Sequence, residues 1–374
     1  MKIKMKNLNT KSLAKYVILT IALSVVLNAC MKEVEFDEKI IESKLVVNGF
    51  VCADSLIKVQ LAVSHPITGV QKRTEWIDNA TIKLYIDGEF SEELQNVKIE
   101  YNEEEFYDNY SNSSADMPES EYQSITTIAQ AGKIYKIEIE CDGFEMAWAE
   151  TTIPEKVIID TVRTEIKEVI EYGYTENRKF YYTKFSDPQT EKNYYRIALS
   201  NSRGYRETIW NDTTYQYEIV DSIKRVYVSY NFDPYIQSDD PLLNGNEDAD
   251  DYLFMGPDNE YKLFNDDLIN GQDYELSFNE YYYNYGDENT MEIEGEFEHS
   301  NIRLMTLSRE AYLYIKSSYE HMYYDEDFLS EPVQVYTNIN NGIGIFAGYS
   351  FDEYSIGKGE YPIDSFEYIY SNYY

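Results

Sequence analysis

The 374-residue sequence predicts a mostly β chain with a single amphipathic helix, and three observations carry that prediction. Short runs in which apolar residues alternate with polar ones recur along most of the chain, the pattern a half-buried strand requires. Asp-Gly pairs close two of these runs, at Asp87-Gly88 and Asp142-Gly143, where a tight turn needs a backbone that few residue types tolerate. Only one segment, near residues 308–324, spaces its apolar residues three and four apart.

From the amino terminus, the first fifteen residues hold five lysines (Lys2, Lys4, Lys6, Lys11, Lys15) and no acid, and an apolar run follows from Tyr16 to Leu27. A basic stretch before an apolar run too short to cross a bilayer makes residues 1–29 a signal peptide. The run ends Leu27-Asn28-Ala29-Cys30, with a large apolar residue three before the cysteine and a small one directly before it. That arrangement resembles the lipobox of bacterial lipoproteins. The resemblance implies that the Cys30 thiol becomes a diacylglyceryl thioether, that residues 1–29 are cut away, and that the new amino terminus is acylated. Each buried methylene of such chains contributes about 0.8 kcal/mol, so two or three chains hold a protein to a membrane for practical purposes permanently. Residues 30–43 then form an acidic tether. Its start, with Lys32, Glu33 and Glu35, looks like the signal by which Bacteroidota-type lipoproteins reach the outer face of the outer membrane; the plainer reading is a solvated linker.

Removal of residues 1–29 takes away five lysines and no acid, moving the formal charge from −36 to −41. Such a chain repels phosphate backbones, so nucleic acid is excluded as a partner. The 39 tyrosines and the 43% of apolar residues argue for a folded chain, because disordered acidic segments are poor in aromatics. Two cysteines follow the tether, Cys52 and Cys141, and a disulfide between them stands level with two free thiols on the sequence alone.

Over residues 44–156, strands are expected at Lys44 to Cys52, at Leu56 to Ser64, at Thr81 to Ile86 and at Lys133 to Glu140. Several short strands at this spacing, closed by Asp-Gly turns, suggest a β-sandwich of the immunoglobulin or fibronectin kind. Pro154 ends it. A second, larger β-rich domain is expected over residues 157–374, with strands at Asn193 to Asn201, Arg225 to Phe232, Tyr274 to Phe278 and Phe297 to Ser308. Its helix near 308–324 starts at Ser308, placed to cap, and carries Tyr312, Ile315, Tyr319 and Met322 on one face, read as packing against a sheet.

Signals for chemistry are sparse. The three histidines, His65, His299 and His321, form no HExxH pair; no GxSxG elbow and no phosphate-binding glycine loop occurs. No catalytic residue, metal ligand or cofactor is assigned. The acidic stretch 244–251, with Asp266 and Asp267 nearby, offers oxygen ligands of the type calcium takes but lacks the EF-hand positions, so an acidic surface loop is the plainer account. Tyrosines cluster at Tyr281, Tyr282, Tyr283 and Tyr285, and rings with hydroxyls suit adaptable contact surfaces. Since three of them are consecutive, at least one ring must turn away from any core the others join, which makes this the candidate binding patch. In Asn341 to Ser350, Gly342, Gly344 and Gly348 interrupt a strand; a kinked core strand is preferred there over a wall approached by a ligand's backbone.

Several stretches read together resemble the domain of unknown function 4249 family of outer-membrane lipoproteins. They are KLVVNGFV from Lys44, DNATIKLY from Asp78, GKIYKIEIECDGFEMAWAETTIP from Gly132, KNYYRI from Lys192, YKLFNDDLINGQDYELSF from Tyr261, LSREAYLYIKS from Leu307 and EPVQVYTNINNGIGIFAGYS from Glu331. The resemblance implies a lipid-anchored, mostly β protein, without established enzymatic activity, whose partner is a TonB-dependent receptor or another outer-membrane β-barrel. The expected function is accordingly ligand capture or receptor docking. A structural subunit of an outer-membrane assembly complex is the alternative, and a secreted hydrolase ranks below both.

Overall fold

The structure is a computed structural model, and it describes residues 43–65, 74–99, 118–171, 173–189, 192–211, 213–214, 216–229, 236–244, 259, 261–282, 297–325, 333–358 and 367–370. The signal peptide, Cys30, Lys32, Glu33 and Glu35 lie outside these residues. The chain is mostly β, as its alternation requires.

The first eight strands are β1 (Leu45–Cys52), β2 (Leu56–Val63), β3 (Glu75–Trp76), β4 (Thr81–Ile86), β5 (Glu89–Lys98), β6 (Ser120–Ile128), β7 (Ile134–Glu140) and β8 (Ala147–Thr152). β5 pairs with β4 through residues 89–94 and with β6 through residues 95–98, so it passes between two sandwich-like layers. Alternate residues of both layers meet in one core, among them Val47, Val59, Ile82, Leu84, Ile137 and Ala149. The turn at Asp87 and Gly88 has both residues at positive φ, the geometry the Asp-Gly pair predicts.

Then follow β9 (Ile159–Glu171), β10 (Tyr174–Ser186), β11 (Tyr194–Asn211), β12 (Gln216–Ser229), the short helix α1 (Pro241–Asn244), β13 (Leu263–Asn265), β14 (Asp273–Tyr281), β15 (Phe297–Leu307), helix α2 (Arg309–Asp325), β16 (Gly342–Lys358) and β17 (Glu367–Tyr370). One large sheet runs in the order β17-β12-β11-β15-β16-β1-β2-β6-β5-β4-β7-β8, and a separate three-stranded sheet runs β14-β10-β9. The small sheet packs on β11 and β15 through Tyr181, Phe185, Phe278, Tyr195, Ile302 and Leu304. α2 covers the other face, over Met305, Leu307, Ile345 and Ala347. β15 is thus buried on both sides from Ser300 to Leu307 except at Arg303, and its buried residues include the polar Ser300, Asn301 and Thr306.

The joint between the two halves is β16. It runs parallel to β1, with Leu45 opposite Gly342 and Cys52 opposite Tyr349. Gly344 sits at φ +102°, and a Cβ there would lie 2.0 Å from the Val47 carbonyl oxygen; at Gly348 it would lie 2.6 Å from that of Thr152. The backbones these glycines admit belong to the chain itself, so the motif is a core joint. The loop before β16 does related work. Asn340 exchanges backbone hydrogen bonds with Trp148 at 2.9 and 3.2 Å, and the Asn341 amide donates to Met146 O at 3.0 Å, so this segment covers the edge of β8.

One reading changes, and one left open by the sequence is decided. Ser308 caps α2 as expected, its Oγ accepting the Ala311 N–H at 3.2 Å, but Met322 is 64% exposed. Met322 thus lies on an exposed part of the last turns, while Tyr319 meets Tyr261 edge-on at 5.3 Å and Ser317 Oγ accepts the Tyr336 N–H at 2.8 Å. Cys52 and Cys141 are both free thiols, and burial pushes the Cys52 thiol up from its ordinary value.

Candidate functional site

The outer face of the three-stranded sheet combines cations and rings in register. β10 supplies every second residue of Arg178-Lys179-Phe180-Tyr181-Tyr182-Thr183-Lys184 to this face, and pairing with its neighbours sets three rows. The rows are Tyr281, Arg178 and Lys167; Asn279, Phe180 and Glu165; and Ser277, Tyr182 and Arg163. The Arg163 guanidinium lies 3.5 Å above the Tyr182 ring and the Arg178 guanidinium 4.7 Å from that of Tyr281, while Lys167 Nζ is 4.9 Å from the Phe180 ring. Such contacts contribute about 0.5–1 kcal/mol each at exposed sites and hold the side chains in fixed orientations.

Each cation also meets an acid. Arg163 donates twice to Glu275, at 2.8 and 3.3 Å; Lys167 approaches Glu165 at 3.1 Å, Arg178 approaches Glu176 at 3.5 Å, and Lys184 approaches Asp273 at 3.6 Å. Lys167 also donates to the Tyr182 hydroxyl at 2.7 Å, and that bond first, then Glu165, raises its pKa. Arg163 holds the Glu275 carboxyl below the usual range. Four cations against four acids make these pairs formally neutral on a chain of net charge −36.

The predicted tyrosine patch divides. Tyr281 belongs to the ladder and its hydroxyl accepts from Arg178 at 3.3 Å. Arg178 is 5% exposed and also donates to Gln237 and Asn279. Tyr282 is half-buried and its backbone N–H donates to Asn177 O at 2.9 Å, ending the sheet. Tyr283 and Tyr285 lie outside the described residues. Sequence reasoning missed Arg163, Lys167, Phe180 and Tyr182, because the run from Arg178 to Lys184 mixes cations and rings on both faces of the strand and shows no alternation.

Behind the ladder, on the inner face, Lys179 Nζ donates to Ser300 Oγ at 2.9 Å, and Ser300 donates to Asn201 at 2.8 Å. Tyr181 contacts both Ser300 and Glu280, and Asn201 donates to Glu280 at 2.7 Å. A neutral amine that accepts the hydroxyl proton is one of the bases that can activate a serine nucleophile, but Lys179 here donates to Ser300. Ser300 is also only 1% exposed, so in this arrangement the cluster joins two sheets and offers its hydroxyl to no substrate.

The acids near the acidic stretch 244–251 are committed to backbone or lysine partners. Asp266 accepts the Asn193 N–H at 2.8 Å, Asp267 meets Lys192 at 2.6 Å, and Asp240 accepts from Leu242 N at 3.0 Å and Ser277 N at 3.1 Å. Asn244 ends α1, and residues 245–251 lie outside the described residues. Among the described residues no group of three His, Cys, Asp or Glu side chains is placed to hold a metal ion. His299 meets Ser355 at 3.1 Å and His321 the Val333 carbonyl at 2.7 Å.

A family model described as a domain of unknown function (DUF4249) matches residues 31–355. No curated protein matches the chain.

Proposed function

The chain belongs to the DUF4249 family, and on that premise we propose that it is a lipid-anchored lipoprotein of the outer membrane, displayed at the cell surface, that binds without turnover. It serves a TonB-dependent transporter, by capturing a ligand or by docking on the receptor. Cys30 carries the lipid, and Lys32, Glu33 and Glu35 direct it outward.

The observation that carries the binding reading is the ladder of Arg163, Lys167, Phe180, Tyr182 and Tyr281, held from beneath by the buried Arg178. Rings and guanidinium groups held rigid by one another lose little side-chain entropy on contact, which is what makes Tyr and Arg effective at the centres of interfaces. Because its charges cancel, a partner approaching there avoids the repulsion that the rest of so acidic a chain exerts.

Extraction of the tagged protein in a mild detergent, followed by mass spectrometry, is expected to recover a large β-barrel; recovery of the bait alone counts against the reading. The double substitution Arg163→Ala with Tyr182→Ala is expected to lose that partner without loss of folding. The anchor has its own test. Metabolic labelling with a tagged fatty acid should mark the wild type and leave Cys30→Ala dark. Protease shaving of intact cells should cleave the wild type and spare a variant with Lys32 and Glu33 changed to alanine.

A further inference from the structure

Most strand edges among the described residues are short or covered. β8 is bonded along its edge by Asn340, β14 takes Gln237 on its free side, β17 has four residues and β3 two. β9 differs. It has thirteen residues, it ends the three-stranded sheet, and among the described residues no strand pairs with its far side. A long edge with outward backbone groups is a template for another strand. β9 also leaves Ile166 53% and Ile170 76% exposed, on the face where Val162 is buried at 8%.

We propose that β9 pairs antiparallel with β9 of a second copy of this chain, about a two-fold axis at Ile166, joining two three-stranded sheets into one of six strands. The occupant follows from the sequence of the edge itself, which is complementary to its own reverse. With Ile166 opposite its copy, Val162 meets Ile170 and Glu165 meets Lys167, each pair occurring twice because of the symmetry. Each neighbouring register sets like charges together. Centring on Glu165 sets that acid opposite itself and Arg163 opposite Lys167; centring on Lys167 sets two lysines together; centring on Thr164 keeps Val162 opposite Ile166 and Arg163 opposite Glu165 but sets Asp160 opposite Glu168. Like charges directly across strands are destabilising, so one register stands out. An unrelated partner strand would impose no such symmetry on β9. The contact shares Lys167 and Glu165 with the ladder but is formed by the backbone edge rather than by the ring faces, so Ile166→Lys tests it without changing a ladder residue.

The test uses the full chain in mild detergent. Light scattering after size exclusion is expected to give a dimer for the wild type and a monomer for Ile166→Lys, with the far-ultraviolet circular dichroism spectrum unchanged because the side chain is 53% exposed. Glu165→Lys alone is expected to weaken the dimer by at least about tenfold, and Glu165→Lys combined with Lys167→Glu to restore it. Ile166→Cys is expected to form a covalent dimer under a mild two-electron oxidant beyond the wild-type background, the two thiols giving one disulfide and two protons; Thr164→Cys is expected not to. A monomeric wild type, a dimer indifferent to Ile166→Lys, or cross-linking at Thr164 in place of Ile166 overturns the proposal.

Discussion

The Asn338 side chain occupies the place of a strand neighbour to Phe346: its Oδ1 accepts the Phe346 N–H at 3.0 Å and its Nδ2 donates to the Phe346 carbonyl at 2.7 Å. The same amide nitrogen donates to Glu150 O on β8 at 3.2 Å. One side chain therefore staples β16 to β8 where backbone pairing between them is absent from the described sheet order. Asn338→Ala is expected to lower stability by about 2 kcal/mol, since two partly buried backbone groups of Phe346 and the exposed Glu150 carbonyl lose a partner. Asn338→Asp should cost at least as much, because a carboxylate keeps the acceptor but faces two carbonyls. Urea denaturation followed by tryptophan fluorescence gives both values.

Gly344 is expected to tolerate no side chain. At φ +102° and with a Cβ 2.0 Å from the Val47 oxygen, Gly344→Ala must break the β1–β16 register, at about 3 kcal/mol or more. Gly88 is the control: its φ is also positive, but a Cβ there meets nothing within 4 Å, so Gly88→Ala should cost only about 1 kcal/mol. A thermal melt of the two variants side by side separates crowding from backbone strain.

Acid should loosen the sandwich through Glu92. Burial pushes this carboxyl up, but bonds from Thr127, Ile125 and Thr126 outweigh it and its pKa is lowered overall. A carboxyl whose folded pKa is depressed contributes stability above its unfolded pKa, lost as pH falls through the folded value. Glu92→Gln is therefore expected to be less stable than the wild type at pH 7, by about 1 kcal/mol, and to approach it in stability near pH 3. Melting curves across that range, showing an equal gap at both ends, would contradict the assignment.

The two arginines of the ladder should part company. Arg178 is 5% exposed and tied to Gln237, Asn279 and Tyr281, so Arg178→Ala leaves several buried acceptors without a donor and should cost about 2–4 kcal/mol. Arg163 has a side chain 56% exposed, and Arg163→Ala should cost under about 1 kcal/mol. Equal losses in a denaturant titration would mean that the outer row is structural throughout.

Strands with one dry face and one wet face announced themselves. β1, β2, β4 and β7 each alternate because the sandwich core selects every second residue, and their spans follow from period two. β5 was not read, because its segment from Glu89 to Lys98 buries only Leu94 and so shows hardly any alternation. β9 escaped for the same reason, most of its residues being exposed on both faces. The ladder lay partly on that unread strand. Only Tyr281 was singled out beforehand, by its place in a run of tyrosines, whereas its cationic partners come from strands about 100 residues earlier, a pairing that local patterning does not encode. The Asn338 staple was equally hidden, since an asparagine in a loop looks alike whether it bonds solvent or two strands.

A chain is made from its amino end, and among the described residues β1 is the first strand to emerge. Its partner on one side is its immediate successor, but its partner on the other is β16, which appears roughly 300 residues later. Until the ribosome has almost finished, one flank of the earliest strand stays bare, and a greasy ribbon waits beside every other ribbon in the cell. Assembly of this molecule is therefore gated by its last third, and whatever escorts the nascent polypeptide must shield its beginning until the end arrives.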